Sequence, residues 1–238
     1  MKTGTLVLLR HGESLYNREN LFTGWTDIDL SRKGIEEAES AGRLLAKHGI
    51  YPDICFTSWL KRAIHTAQIA LKEMEWEHID AIRSWKLNER HYGAWQQHNK
   101  EAIEKEVGQK RFVAIRRGYD TPPPPLQEGD PRLPQNDPKY RGIDPALLPK
   151  SESLKDTRRR TLNYFVERIA PELVRGKSVL VSAHGNSLRA LVMAIERLTP
   201  AEVVKLEIPT GEPILYYFDE TAHLLRKEVL KNTPSDQS

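Results

Sequence analysis

Leu9-Arg10-His11-Gly12-Glu13-Ser14 follows the short apolar run Thr5 to Leu9, and Ser182-Ala183-His184-Gly185-Asn186-Ser187 closes a second such run, Ser178 to Ser182. Both put His-Gly-x-Ser just past an expected strand. Nothing else matches between the two halves, so this is one local geometry used twice rather than a sequence repeat. In an open parallel sheet, ligands bind outside the carboxyl ends of the strands. Two histidines leaving neighbouring strand ends would then face each other across one crevice.

The elements between these segments alternate as a parallel sheet requires. Ser31 can cap a helix on which Ile35, Ala38, Ala41, Leu44 and Leu45 share a face and which Gly49 can close. A buried strand at Asp53 to Phe56, a helix from Lys61 to Met74 and a strand from Ile79 to Trp85 follow, a βαβ rhythm. The expected fold is a single α/β domain over residues 1–238, with a mostly parallel central sheet flanked by helices. The charged, helical stretch Lys100 to Tyr119 runs into Pro122-Pro123-Pro124-Pro125 and an irregular segment reaching Lys150. So long a structureless stretch is read as an insertion over the site, a lid at about 120–150. A helix from Leu154, disturbed or ended near Pro171, precedes the strand at Ser178, a helix from Ser187 to Arg197 and a last strand, Ile214 to Phe218. A polar tail at about 231–238 is expected to be mobile.

Composition narrows the function. The chain of 238 residues can bury a full core, and no composition break divides it. No run approaches the roughly 18 apolar residues of a membrane span, and Met1-Lys2-Thr3-Gly4 leads into a strand rather than a signal segment. A soluble, cytoplasmic protein is expected. The single cysteine, Cys55, lies in Ile54-Cys55-Phe56 and reads as a buried strand thiol, which suits a reducing compartment. The net charge of +3 favours anionic partners. Zinc-finger spacing, an RNP-type strand and a basic stripe are all missing, so small phosphorylated or carboxylated metabolites fit better than nucleic acid.

Phosphoryl transfer needs a nucleophile, charge to neutralise the non-bridging oxygens, and in-line positioning. A neutral imidazole is a competent nucleophile near pH 7 and a good leaving group afterwards. His11 is the candidate, with Arg10 supplying fixed charge and Gly12 removing bulk where the phosphoryl group approaches. Arg62, opening the helix after the second strand, can offer a guanidinium fork. His184 would stabilise transition-state charge, and Asn17 and Asn186 are neutral donors. Glu89, in Leu87-Asn88-Glu89-Arg90-His91-Tyr92-Gly93, is the candidate proton carrier, because a neighbouring phosphate favours the protonated carboxyl. Lys100, Arg116 and Arg117 suit the far, carboxylate or second-phosphate, end of a ligand. Arg158-Arg159-Arg160 is read as surface charge and the five tryptophans as packing. No clustered His/Asp/Glu spacing suggests a metal.

These residues carry a resemblance. Arg10-His11-Gly12-Glu13-Ser14, Asn17, Phe22-Thr23-Gly24-Trp25-Thr26-Asp27, Arg62-Ala63-Ile64-His65-Thr66-Ala67, Leu87 to Gly93, Asn99-Lys100, Arg116-Arg117-Gly118-Tyr119-Asp120, Glu152-Ser153-Leu154 and Ala183-His184-Gly185-Asn186-Ser187 resemble the cofactor-dependent phosphoglycerate mutases of the histidine phosphatase superfamily. The similarity runs from Leu6 to about Val229. It implies interconversion of 3-phosphoglycerate and 2-phosphoglycerate in glycolysis and gluconeogenesis through a phosphohistidine, primed by 2,3-bisphosphoglycerate and without metal. It also implies a homo-oligomer, dimer or tetramer. Carried over, His11, Glu89, His184, Arg10 and Arg62 match the catalytic positions. Ser14, Asn17, Thr23, Gly24, Arg90, His91, Tyr92, Lys100, Arg116, Arg117, Gly185 and Asn186 match substrate-binding ones. Two departures stand out: Tyr16 where the family has tryptophan, and Trp95-Gln96-Gln97-His98 in place of a smaller, glycine-containing stretch. A histidine phosphatase, or a bisphosphoglycerate mutase or phosphatase acting on related phosphoesters, stays open beside the isomerase.

Overall fold

Strand β1 (Gly4–Arg10) sends Leu6 and Leu8 to one side of a sheet and Val7 and Leu9 to the other, all buried, in the computed structural model that describes residues 4–231. Burial on both faces is why the run is continuously apolar rather than alternating. With β2 (Ile54–Thr57), β3 (Ala81–Arg83), β4 (Ser178–Ala183), β5 (Ile214–Phe218) and β6 (Leu224–Val229), it forms one six-stranded sheet in the order β3-β2-β4-β1-β5-β6. The first four strands of that order run parallel, β5 pairs antiparallel with β1, and β6 pairs antiparallel with β5.

Helices cover both faces, as a parallel sheet demands. A single turn, α1 (Leu15–Arg18), leads to α2 (Arg32–Lys47) and α3 (Lys61–Glu73), whose Ala41, Leu44, Leu45, Ala67, Ala70 and Leu71 pack on Val7, Leu9, Cys55 and Leu180. The chain continues through α4 (Lys100–Val107), α5 (Gln109–Arg117), α6 (Leu154–Tyr164), α7 (Ala170–Val174), α8 (Gly185–Ile195) and α9 (Pro200–Val203). On the second face, Tyr164, Leu173, Leu188, Leu191 and Val192 pack on Leu6, Leu8, Phe56, Val179 and Val181. Each such side chain, fully buried, contributes roughly 1.5–3 kcal/mol.

Several sequence expectations change. Ile35 is 40% exposed, because Gly34, Ala38, Ala41 and Leu45 take the inward arc of α2 and leave it one position around. Lys100 to Tyr119 is two helices, broken at Gly108 with φ +81°. The third strand is three residues long, and Trp85 falls in the 3₁₀ turn after it. Pro171 disturbs the helix, as one of the two expectations has it, and does not end it: α6 passes through a π turn at Phe165–Ile169 into α7, where the proline occupies the first turn. Helix α8 starts two residues earlier than expected, at Gly185. Strand β6 was not anticipated, since five of its six residues are exposed and its order comes from backbone pairing with β5. The tail at 231–238 lies, apart from Lys231, outside the described residues.

The insertion is not structureless. Proline-initiated 3₁₀ turns at Pro134–Asn136, Pro138–Tyr140 and Pro145–Leu147 order it, and Leu126, Leu133, Tyr140 and Leu148 are buried. Tyr140 stacks on Trp25 at 5.1 Å between ring centroids, and Lys139 Nζ lies 2.6 Å from Asp27 Oδ2. These contacts tie the insertion to the loop that follows α1.

Candidate active site

Parallel pairing of β1 with β4 sets Arg10 opposite Ala183, so the next residues, His11 and His184, leave the same end of adjacent strands. Their ring centroids are 4.9 Å apart at 60°. His11 Nδ1 lies 2.7 Å from the carbonyl oxygen of Gly12, which can only accept. The ring proton therefore sits on Nδ1, and Nε2 carries the lone pair. Burial holds the pKa of His11 well below its ordinary value, reinforced by the charges of Arg62 and Arg10. Burial, Arg62 and His11 do the same to His184. His184 Nε2 lies 2.8 Å from Ser58 Oγ, while its Nδ1 is buried without a partner.

Two arginines converge on this pair. Arg62, 1% exposed in the first turn of α3, donates from Nη1 to Thr26 O at 3.0 Å and from Nη2 to Gly24 O at 2.8 Å. Burial lowers its pKa to about 10, which leaves it charged at neutral pH. Arg10 Nη1 donates to Ile208 O at 2.7 Å. In both arginines Nε is buried and unpartnered. A buried donor left unsatisfied costs about 1–3 kcal/mol, and an anion between these groups would remove that cost.

A cavity of about 310 Å³ opens above His11. Arg10, His11, Asn17, Thr23, Gly24, Arg62, Glu89, Tyr92, Lys100, Arg116, Arg117, Gly185 and Asn186 line it. Glu89 Oε1 accepts from the backbone N–H groups of Arg90 at 2.7 Å and Asn186 at 3.0 Å, which aims the carboxyl across the cleft. Lys100, the first residue of α4, has its pKa lowered to about 8 by burial and by Arg116 and Arg10.

Four of the expected residues are elsewhere. His184 packs behind His11 rather than on the cavity wall. Ser14 caps α1, its hydroxyl accepting from Asn17 N and donating to Asn17 Oδ1, so it orients Asn17. Arg90 points away from the cleft to the carbonyls of Ile115 and Arg116, both at 2.9 Å, with its guanidinium 4.4 Å from the Tyr92 ring centroid. His91 is fully buried, accepts at Nδ1 from Gly93 N, and is pushed down to about pKa 3 by burial. Gly12 also has a different reason: a Cβ there would meet Gly34 O at 2.1 Å, so backbone packing against α2 demands it. At Gly185, by contrast, a Cβ would sit 3.5 Å from the Arg10 guanidinium and 3.7 Å from Glu89 Oε2, inside the cleft.

Three residues escaped the sequence reading. Arg160 is not surface charge: it pairs with buried Glu152 and donates to the carbonyls of Lys86, Asn88 and Glu89. Arg189 lines the cleft and donates to Asn186 Oδ1 at 2.9 Å and Val203 O at 2.6 Å. A lone arginine in the apolar helix Leu188 to Ile195, three residues after Asn186, was the signal for it. Glu207 lines the cleft from a loop with no pattern of its own. Trp25 does more than pack, since its Nε1 donates to Glu89 O at 2.6 Å. The departing segment backs the same loop: Trp95 is buried against Phe22, and Gln96 Oε1 accepts from Trp25 N at 2.7 Å.

Among the described residues, no group of three or more His, Cys, Asp or Glu side chains is arranged to hold a metal, and no helix is long and apolar enough to cross a membrane.

Comparison with known proteins places this geometry. Residues 6–227 match the family model of the histidine phosphatase superfamily, branch 1. A 2,3-bisphosphoglycerate-dependent phosphoglycerate mutase of Hydrogenobaculum sp. (strain Y04AAS1) is 54% identical over 95% of this chain and 92% of its own length. The protein of that name from Thermobifida fusca (strain YX) is 53% identical over 91% and 87%. Among solved structures, a mycobacterial glucosyl-3-phosphoglycerate phosphatase superposes with a TM-score of 0.72 at 23% identity, covering 95% of this chain and 97% of that one. A phosphoglycerate mutase from Bacillus anthracis str. Sterne does so with 0.67 at 18%, covering 98% and 93%. At those identities the likeness is one of fold. The chain belongs to the histidine phosphatase superfamily and, within it, to the family of 2,3-bisphosphoglycerate-dependent phosphoglycerate mutases.

Proposed function

We propose that this protein interconverts 3-phosphoglycerate and 2-phosphoglycerate through phospho-His11, primed by 2,3-bisphosphoglycerate. The observation that carries the reading is one cleft with two cationic poles, His11 with Arg10 and Arg62 at its floor and Lys100, Arg116 and Arg117 on its wall. Such a ligand has a phosphate for one pole and a carboxylate or second phosphate for the other. The unpartnered buried nitrogens of Arg10 and Arg62, both of which line the cleft, fit a phosphoryl group.

In the reaction, His11 Nε2 carries the phosphoryl group, and Nδ1–H stays on the Gly12 carbonyl so that only one nitrogen can attack. Arg10 and Arg62 neutralise the equatorial oxygens, and His184, packed edge to face on His11, holds that ring in place. When phospho-His11 donates to a substrate hydroxyl, Glu89 takes the hydroxyl proton, and it returns a proton when the other phosphate goes back to His11. Lys100, Arg116 and Arg117 hold the far end while the bound intermediate turns over. The insertion over 120–150 keeps water from phospho-His11. The buried Cys55 thiol, pushed up to about pKa 12 by burial, suits a cytoplasmic location.

Incubation with 3-phosphoglycerate and a trace of 2,3-bisphosphoglycerate should yield 2-phosphoglycerate and an acid-labile, alkali-stable phosphoryl group on the protein. Free phosphate as the main product would replace this reading with a phosphatase. Labelling that survives His11→Ala would remove the mechanism.

A further inference from the structure

Two carboxylates line the cleft, Glu89 and Glu207, and the chemistry proposed above uses only the first. Glu207 stands on the loop between α9 and β5. Arg117 Nη2 donates to its Oε1 at 2.6 Å, a close charge-assisted bond. The loop is fixed on either side by other arginines of the cleft, Arg189 at the carbonyl of Val203 and Arg10 at that of Ile208. An acidic side chain is thus presented to the far cationic pole by a loop that the site's own arginines hold.

A ligand carboxylate reaching Arg117 meets a guanidinium already paired with Glu207 and competes with it for the same charge. Resting on the proposed reading of the cleft, we infer that Glu207 is an internal competitor for Arg117, displaced by the carboxylate of a phosphorylated carboxylic acid. Its charge lowers affinity chiefly for ligands that use the second pole. It thereby speeds their release and leaves the phosphate pole around His11 largely untouched. The pair is partly solvated, with side-chain exposures of 32% for Arg117 and 71% for Glu207, so its effect is modest.

Calorimetric titration of the full-length protein with 3-phosphoglycerate and, separately, with inorganic phosphate tests this. Glu207→Gln should tighten 3-phosphoglycerate binding by about two- to fivefold, change phosphate binding much less, and give no gain in an Arg117→Gln background. Damage to a merely structural residue would weaken binding instead. Unchanged or weaker 3-phosphoglycerate binding, an equal gain for both ligands, or a gain that persists without Arg117 would overturn the inference. If the wild-type protein hydrolyses 3-phosphoglycerate, the isomerase reading falls, while the binding comparison still decides the role of Glu207.

Discussion

His11 and His184 meet edge to face at 4.9 Å, both buried and both in the field of Arg62, so the pair is held neutral. Protonating either would set imidazolium against guanidinium where neither ring is exposed to solvent. The same geometry that keeps His11 nucleophilic therefore ties stability to pH. Below about pH 6.5 the unfolded chain binds protons at His11, His184 and His91 that the folded chain refuses. The contribution of these histidines should be flat above that pH and fall as pH drops through it, by up to about 1.4 kcal/mol per unit per histidine. For His91 the loss should continue down to about pH 3. Thermal denaturation from pH 8 to pH 5 checks this, and a Tm that does not fall below pH 6.5 would refute it.

Arg160 should matter to Glu89 although it does not line the cleft. Its guanidinium holds the carbonyls of Lys86, Asn88 and Glu89 and two oxygens of Glu152, while Glu152 Oε2 also accepts from His91 N. Losing one partner of a buried pair typically costs 3–5 kcal/mol, so Arg160→Ala should destabilise by about that much. Arg160→Lys keeps the charge but not the fork. It should fold, lower kcat by about tenfold or more, and show little further loss when combined with Glu89→Gln. Additive losses in that cycle would mean that Arg160 does not act through Glu89.

The strand-end histidines were legible because a short, continuously apolar strand followed by His-Gly is a local signal that needs no tertiary knowledge. Arg62, Glu89 and the Lys100, Arg116 and Arg117 group were nominated by their chemistry and by resemblance. What escaped depended on folding. Arg160 and the exposed Arg159 look alike in sequence, and only the packing of α6 against the turn at Trp85–Leu87 separates a buried clamp from a solvated charge. Arg90 and His91 share a motif with Glu89, yet successive residues of this turn point in different directions and only Glu89 faces the cleft. Strand β6 was invisible because an edge strand needs backbone pairing rather than burial.

Two glycines of the paired motifs should respond differently to alanine. Gly12→Ala drives a Cβ to 2.1 Å from a backbone oxygen of α2, which cannot move without shifting the helix. It should destabilise strongly, by about 2 kcal/mol or more. Gly185→Ala meets only ordinary contacts at 3.5 Å and 3.7 Å, at a helical position that tolerates alanine. It should fold with a near-native Tm yet lose about ten- to a hundredfold in kcat/KM, since its methyl group projects between Arg10 and Glu89. Comparable Tm losses in the two variants would refute the distinction.

Lys100 gives the activity an alkaline limit. Burial, with Arg116 and Arg10 nearby, brings its pKa to about 8, so in the free protein its charge is full at pH 7 and mostly lost by pH 9. An anionic ligand needs that charge. Thus kcat/KM for 3-phosphoglycerate, which reports free-enzyme ionisations, should fall as pH rises through about 8, chiefly through KM. Bound anion favours the ammonium form, so the limb in kcat should lie at higher pH. Arginine stays charged throughout, so Lys100→Arg should carry the limb in kcat/KM out of the measurable range even where misfit lowers its absolute value. A wild-type profile flat to pH 9.5, or an alkaline limb unmoved by Lys100→Arg, would assign the limit to another group.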